Sequence, residues 1–114
     1  MEDLTPYKLQ LDLIQLTAAQ LIKDFGIQGI DITFSGKSET AYDELCNQVE
    51  PIFTRFLLHD PGKLLNLLYR IDVKERSMVK AMDLPDLKSR RDALIRLVLE
   101  RELQKVVIRT QGKV

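Results

Sequence analysis

The chain has 114 residues, of which 45% are hydrophobic and 30% are charged, and its formal net charge is zero. These values are typical of one globular domain spanning residues 1–114, and they exclude collagen-like and disordered chains. The single cysteine, Cys46, and the single histidine, His59, exclude an internal disulfide and a metal site built from several cysteines or histidines.

The first predicted helix begins at Thr5-Pro6, because threonine accepts hydrogen bonds from free amides and proline suits the first helical position. Apolar residues then recur at helical spacing as far as Phe25, and Gly26 is predicted to end the helix. Between Gly29 and Gly36, apolar residues alternate with polar ones, which predicts a short extended segment. Since no second strand candidate exists, this segment is predicted to be a linker rather than part of a sheet.

The second predicted helix opens at Ser38, and its apolar stripe runs from Tyr42 to Phe56. Pro51 lies inside the stripe and is expected to bend the helix or divide it near Glu50. Asp60-Pro61-Gly62 ends this helix and begins a third. The third helix, about 61–70, has leucines on nearly all sides, so we expect it to be the central element of the fold.

Tyr69-Arg70-Ile71-Asp72 follows, and it is predicted to be the corner between two helices rather than a reactive group of residues. Asp72 and Glu75 match a capping box that would begin a fourth helix, ending near Met82. The last predicted helix, about 86–109, carries one apolar face from Leu94 to Val106. The predicted fold is an all-α bundle of about five helices with one short extended linker.

Ser35-Gly36-Lys37-Ser38 ends as a phosphate-binding P-loop does, but the full pattern requires glycine at position 31, where the chain has Asp31. A glycine turn followed by a serine cap explains these residues. Cys46 is expected to be an unreactive core thiol, and His59 is expected to end its helix. We therefore predict no catalytic, cofactor-binding or metal-binding residue, and no enzyme activity.

Charge is distributed unevenly along the chain. Residues 1–60 contain 4 basic and 10 acidic residues, and residues 61–114 contain 13 basic and 7 acidic ones, so the two parts carry −6 and +6. Such parts either attract each other, within one molecule or between molecules, or leave a basic face for nucleic acid. The residues predicted to contact phosphates in the second case lie in one sector of the last helix: Arg90, Arg101, Lys105 and Arg109.

Nucleic-acid binding is the alternative prediction, with residues 61–82 forming a unit like a helix-turn-helix. Acidic residues three or four positions from several of these cations offer them local partners, which reduces the free positive charge. The main prediction is a small non-catalytic domain for protein interaction or scaffolding, with a protein partner or a second copy bound. Leu97, Val107 and Ile108 lie off the main apolar face of the last helix and are predicted to contact that partner.

No stretch of the sequence is long and apolar enough to span a membrane, and the N-terminus MEDLTPYK is acidic where a signal peptide is basic, which predicts a cytoplasmic protein. The ordered segments AYDEL at 41–45, LLYRIDV at 67–73 and ERELQKVVIR at 100–109 resemble a family of short uncharacterised bacterial proteins. The resemblance covers about residues 15–109. It implies a small cytoplasmic helical protein, and it implies no activity and no site residue.

Overall fold

Five α-helices are the main elements of residues 10–112, the part of the chain that this computed structural model describes. The helices are α1 (Leu11–Ile27), α2 (Ala41–His59), α3 (Pro61–Ile71), α4 (Glu75–Met82) and α5 (Leu87–Gln111). A short 3-10 helix, Ser38–Thr40, precedes α2, and residues 10–112 contain no strand. The all-α class predicted from the sequence is confirmed.

Helix α1 begins and ends at different residues from those predicted. The predicted start at Thr5-Pro6 lies outside the described residues, and within them Gln10 has an extended backbone, so the helix begins at Leu11. At the other end, Ile30 N–H donates a hydrogen bond to the Phe25 carbonyl at 3.0 Å, and Gly29 has a φ of +76°. A positive φ favours glycine, so Gly29 ends the helix rather than Gly26.

The extended segment that follows α1 is bound by side chains of α2 instead of by a strand. The Gln48 side chain accepts a hydrogen bond from Thr33 N–H at 2.9 Å and donates one to the Thr33 carbonyl at 2.8 Å. One turn earlier, Glu44 accepts from Ser35 N–H at 2.7 Å and from its hydroxyl at 2.8 Å. Helix residues four apart face the same side, as do strand residues two apart, so the two elements match. The predicted extended linker therefore exists without a sheet.

Helix α2 is not divided at Pro51 and continues to His59. Its buried face includes Phe53, whose ring stacks on Phe25 of α1 with the ring centroids 6.3 Å apart. Tyr42, which the sequence placed on the apolar face, is 63% exposed.

The corner at Tyr69–Asp72 is formed by the end of α3. Asp72 has a left-handed backbone, with a φ of +68°, and Val73 N–H donates to the Leu68 carbonyl at 3.1 Å. This is how helices commonly end. The predicted capping box with Glu75 was wrong because Asp72 ends α3 instead of beginning α4, and its carboxylate accepts a hydrogen bond from Arg101 at 3.0 Å.

The central element is α5, which packs against α1, α2, α3 and α4. Its start is capped by Asp86, whose carboxylate accepts a hydrogen bond from Ser89 N–H at 2.8 Å. The expectation that α3 is central was wrong, since α3 is open on one side, where Leu65 is 38% exposed. Residues of all five helices and of the linker form the main core, which the first half of α5 joins through Leu94, Ile95 and Val98. A second, smaller apolar cluster consists of Leu13, Leu103, Val106 and Val107.

Replacing Gln48 with alanine removes both hydrogen bonds to the Thr33 backbone. We expect the free energy of unfolding to fall by about 1 to 2 kcal/mol, since water can replace only part of these bonds. Chemical denaturation followed by circular dichroism measures this. The neighbouring exposed residue supplies the control: Asn47→Ala should change the free energy by less than about 0.5 kcal/mol. Equal effects of the two substitutions would contradict the account of the linker.

Candidate functional site

The first two of the basic residues predicted to contact nucleic acid bind groups of the chain itself. Arg90 Nε donates to the Leu84 carbonyl at 2.6 Å, which fixes the turn between α4 and α5. Arg101 donates to Asp72 at 3.0 Å and to Gln104 at 2.7 Å.

The other two, Lys105 and Arg109, bind α1. Lys105 Nζ lies 2.7 Å from Asp24 Oδ2, and Arg109 Nη1 donates to Gln20 Oε1 at 2.6 Å. The Lys105–Asp24 pair joins the basic and the acidic parts of the sequence within one molecule. The four side chains therefore do not form a free basic stripe, and α4 packs chiefly on α5 rather than on α3 as a helix-turn-helix requires.

The three residues predicted to contact a partner lie in different environments. Val107 has 0% of its surface exposed and belongs to the small apolar cluster, so its expected position off the buried face was wrong. The reason is that α1 covers this side of α5, which a single apolar stripe does not anticipate. Ile108 is 44% exposed, and Leu97 is half-buried beside the main core. For Leu97 and Ile108, partner contact stays a prediction.

Leu97 lies in a groove of about 280 Å³ between α4 and α5, which we call the α4–α5 groove. The residues that line it are Ser77, Lys80, Ala81, Leu84, Ala93, Arg96 and Leu97. A wider and shallower depression of about 570 Å³ lies between α2 and α5, and it mixes Glu50 with Arg55 and Arg91.

The two cations of the α4–α5 groove, Lys80 and Arg96, are exposed, and their side chains make no hydrogen bond or ion pair with the described residues. Asp92, which is spaced to pair with Arg96, instead binds Lys88 at 2.9 Å and Arg91 at 3.0 Å. Arg96 and Lys80 are therefore available to a molecule in the groove. The groove combines an apolar floor with positive charge and has no acidic residue in its lining.

The P-loop-like segment makes contacts that leave no phosphate cradle. The Gly36 carbonyl and the Ser38 hydroxyl both accept hydrogen bonds from Gln15, at 2.6 and 2.9 Å. The carboxylate of Glu44 binds Ser35, which places negative charge beside the loop.

Cys46 is half-buried, and burial raises the pKa of its thiol, against the opposite effect of a hydrogen bond with Tyr42. A raised pKa keeps the thiol protonated and therefore less nucleophilic at neutral pH. The residues from 10 to 112 include no group of three or more histidine, cysteine or acidic side chains that could hold a metal ion.

A cluster of ionisable groups that the sequence analysis did not find lies between α1 and α5. Glu102 has 0% of its surface exposed, and Asp24 is also buried. Lys105 Nζ lies 2.7 Å from Asp24 and 2.9 Å from Glu102 Oε1, although neither oxygen of Glu102 accepts a hydrogen bond of good geometry. Gln20 donates to the other oxygen of Asp24 at 3.1 Å.

The two acids of this cluster have opposite protonation preferences. Burial, together with a hydrogen bond to Asp24, raises the pKa of Glu102 from 4.5 to about 8, and Lys105 opposes the rise. Burial also acts to raise the pKa of Asp24, but hydrogen bonds with Glu102, Lys105 and Gln20 outweigh it, so the pKa of Asp24 is lowered. These directions favour a protonated Glu102 beside an ionised Asp24 at neutral pH.

One sequence signal could have revealed this cluster. Glu102 follows Ile95 and Val98 on the apolar face of α5 and precedes Val106 by one turn. An acid at such a position is buried unless the helix turns away. The three-residue spacing between Glu102 and Lys105 by itself indicates only a surface ion pair.

No family model matches this chain, and no curated protein and no solved structure matches it significantly. The resemblance to a bacterial protein family therefore stays a prediction. None of the described helices combines the length and the apolar character that crossing a membrane requires.

The raised pKa of Glu102 makes stability depend on pH. The folded chain holds one more proton than the unfolded chain between about pH 4.5 and about pH 8, so stability falls as pH rises through this window. We expect the free energy of unfolding to fall by up to about 1.4 kcal/mol per pH unit from this group. Glu102→Gln should lose that slope in denaturation measured across the window.

The lowered pKa of Asp24 affects stability only at more acidic pH, because its contribution is lost only as pH falls below its ordinary value of 3.8.

The matched control for Glu102→Gln is Glu100→Gln, at a half-buried acid on α5, which should keep the slope of the unmodified chain. The same slope in the Glu102→Gln variant would contradict the assignment of the proton to Glu102.

Proposed function

We propose that this chain is a small non-catalytic protein-interaction domain, and that its α4–α5 groove binds an acidic amphipathic segment of a partner protein. The observation that carries the proposal is the groove itself, where Ala81, Leu84 and Leu97 lie between two unpaired cations. Apolar side chains of a partner would fill the floor, and its acidic side chains would meet Lys80 and Arg96. The proposal keeps the cytoplasmic location that the sequence predicts.

The other cations of α5 are bound within the chain, which favours a protein-binding groove over a nucleic-acid interface. Arg90, Arg101, Lys105 and Arg109 are held by carbonyl, carboxylate or amide oxygens of the chain. Reaching phosphates would require these bonds to break. The two acids that do converge, Asp24 and Glu102, are buried, which supports a non-catalytic role.

Two charge reversals on the groove test the proposal. The Lys80→Glu, Arg96→Glu double variant changes exposed side chains only, so the fold is expected to persist. We expect the variant to bind its protein partner at least about tenfold more weakly, because like charges then face each other. The measurement is capture from the native cell with the unmodified chain and the variant as baits, followed by titration of the captured protein.

The matched control is Lys74→Glu, Arg76→Glu, which makes the same change in net charge at the start of α4, outside the groove lining. This control should keep the partner. Equal retention by all three baits would contradict the groove as the binding surface, as would equal loss with both variants. Loss of the partner after nuclease treatment would favour the nucleic-acid alternative.

A second copy of the chain is the other occupant that the sequence analysis predicted. Sedimentation velocity of the isolated chain distinguishes it from a different protein. A dimer that the groove variant dissociates would assign the groove to self-association, whereas a monomer in both cases supports a separate partner.

A further inference from the structure

The contact between α1 and the second half of α5 contains a buried acid at its centre. We call this contact the α1–α5 seam; it consists of Gln20, Asp24, Glu102, Lys105 and Arg109 together with the small apolar cluster of Leu13, Leu103, Val106 and Val107. The helices run antiparallel here, since Gln20 meets Arg109 and Asp24 meets Lys105. Glu102 lies where the main core, which includes Val98, gives way to the small cluster.

The seam supplies one ammonium group for two carboxyl groups. Lys105 lies 2.7 Å from Asp24 and 2.9 Å from Glu102. Because both oxygens of Glu102 are inaccessible to water and lack well-aligned donors, a second negative charge there is uncompensated. A proton on Glu102 removes this charge and supplies a donor that ionised Asp24 can accept. The closed seam therefore favours the protonated form of Glu102.

The small apolar cluster of the seam is separate from the main core. The seam involves the last turns of α5, beyond the residues that contact the main core, and its apolar content is the small cluster alone. Contacts of this kind, near the end of a helix and with few apolar partners, open with a lower free energy than the whole protein. Opening gives Glu102 access to water.

We propose that the α1–α5 seam is a proton-dependent contact: it is closed while Glu102 carries a proton, and it opens locally when that proton is lost, uncovering Leu13, Val106 and Val107. This inference is independent of the α4–α5 groove.

The charged groups around the seam do not replace the missing compensation. From α1, Asp24 faces Glu102 and adds negative charge. On the side of α3, Asp72 is bound to Arg101, the cation that precedes Glu102 in the chain. On α5 itself, Lys105 is shared and Arg109 is bound to Gln20.

Amide hydrogen exchange measured by nuclear magnetic resonance tests the proposal. As pH rises, the protection of residues 102–111 and of their α1 neighbours against amide exchange should fall in the unmodified chain. The fall is measured relative to Glu102→Gln at the same pH. The expected fall is up to about tenfold per pH unit between about pH 6 and about pH 8. Low concentrations of denaturant should not change exchange in the seam, because local opening exposes little surface.

Glu100→Gln serves as the matched control and should behave as the unmodified chain. Two results would overturn the proposal: the same pH dependence in Glu102→Gln, or exchange in the seam that rises with denaturant as steeply as exchange in the main core. The second result would mean that the seam opens only when the whole chain unfolds.

A direct titration keeps the test valid if Glu102→Gln does not fold. The side-chain carboxyl of Glu102, followed by carbon resonances in the unmodified chain, should still be protonated at about pH 7, and the methyl resonances of Val106 and Val107 should change as it titrates. A Glu102 carboxyl that titrates in the ordinary range of glutamic acids would overturn the proposal.

Discussion

The fold depends on the packing of four helices against one long helix. Because α5 contacts α1, α2, α3 and α4, its buried surface is wider than a single stripe and changes partners along its length. Its first half joins the main core through Leu94 and Val98, and its second half meets α1 through Val106 and Val107. The α4–α5 groove and the Glu102 cluster both lie against α5, so α5 fixes their relative positions.

This arrangement also determines which charges are free. The cations in the second half of α5 face α1 or the end of α3 and are bound by Asp24, Gln20 and Asp72. Near the first half, Asp92 lies one turn from Arg96 but binds Lys88 and Arg91 instead. The net charge of the chain and the charge asymmetry between its two parts therefore do not show where the protein surface carries free charge. What matters is which cations the packing leaves without an acid.

Local rules predicted the helices well and their contacts poorly. Asp60 and Asp86 were expected to begin helices, and both accept the hydrogen bonds of helix caps. Asp72 was misassigned because an aspartate suits both a helix start and a left-handed helix end, and only the backbone of the folded chain decides between them.

The errors on α5 and in the linker have a common cause. Val107 was placed off the apolar face because the periodicity of one helix does not indicate how many neighbours it has. Likewise, nothing in the spacing of Gln48 and Glu44 indicates that their side chains bind the backbone of a segment 15 or 9 residues earlier. The Glu102 cluster was missed because it requires Asp24, which lies in a different part of the sequence.

A contribution to stability does not explain why an acid occupies position 102. An apolar side chain of similar volume would fill its site without any cost of removing a carboxyl group from water, and such replacements of buried ionisable groups are often neutral or stabilising. A hydrogen bond with Asp24 recovers part of that cost only while the proton is present, whereas the contact with Lys105 favours the ionised form. A leucine would hold α1 against α5 equally at every pH, whereas an acid makes the same contact conditional on one proton. This pH-dependent contact lies beyond the part of α5 that packs in the main core. Its free energy therefore affects the seam without requiring the rest of the bundle to change.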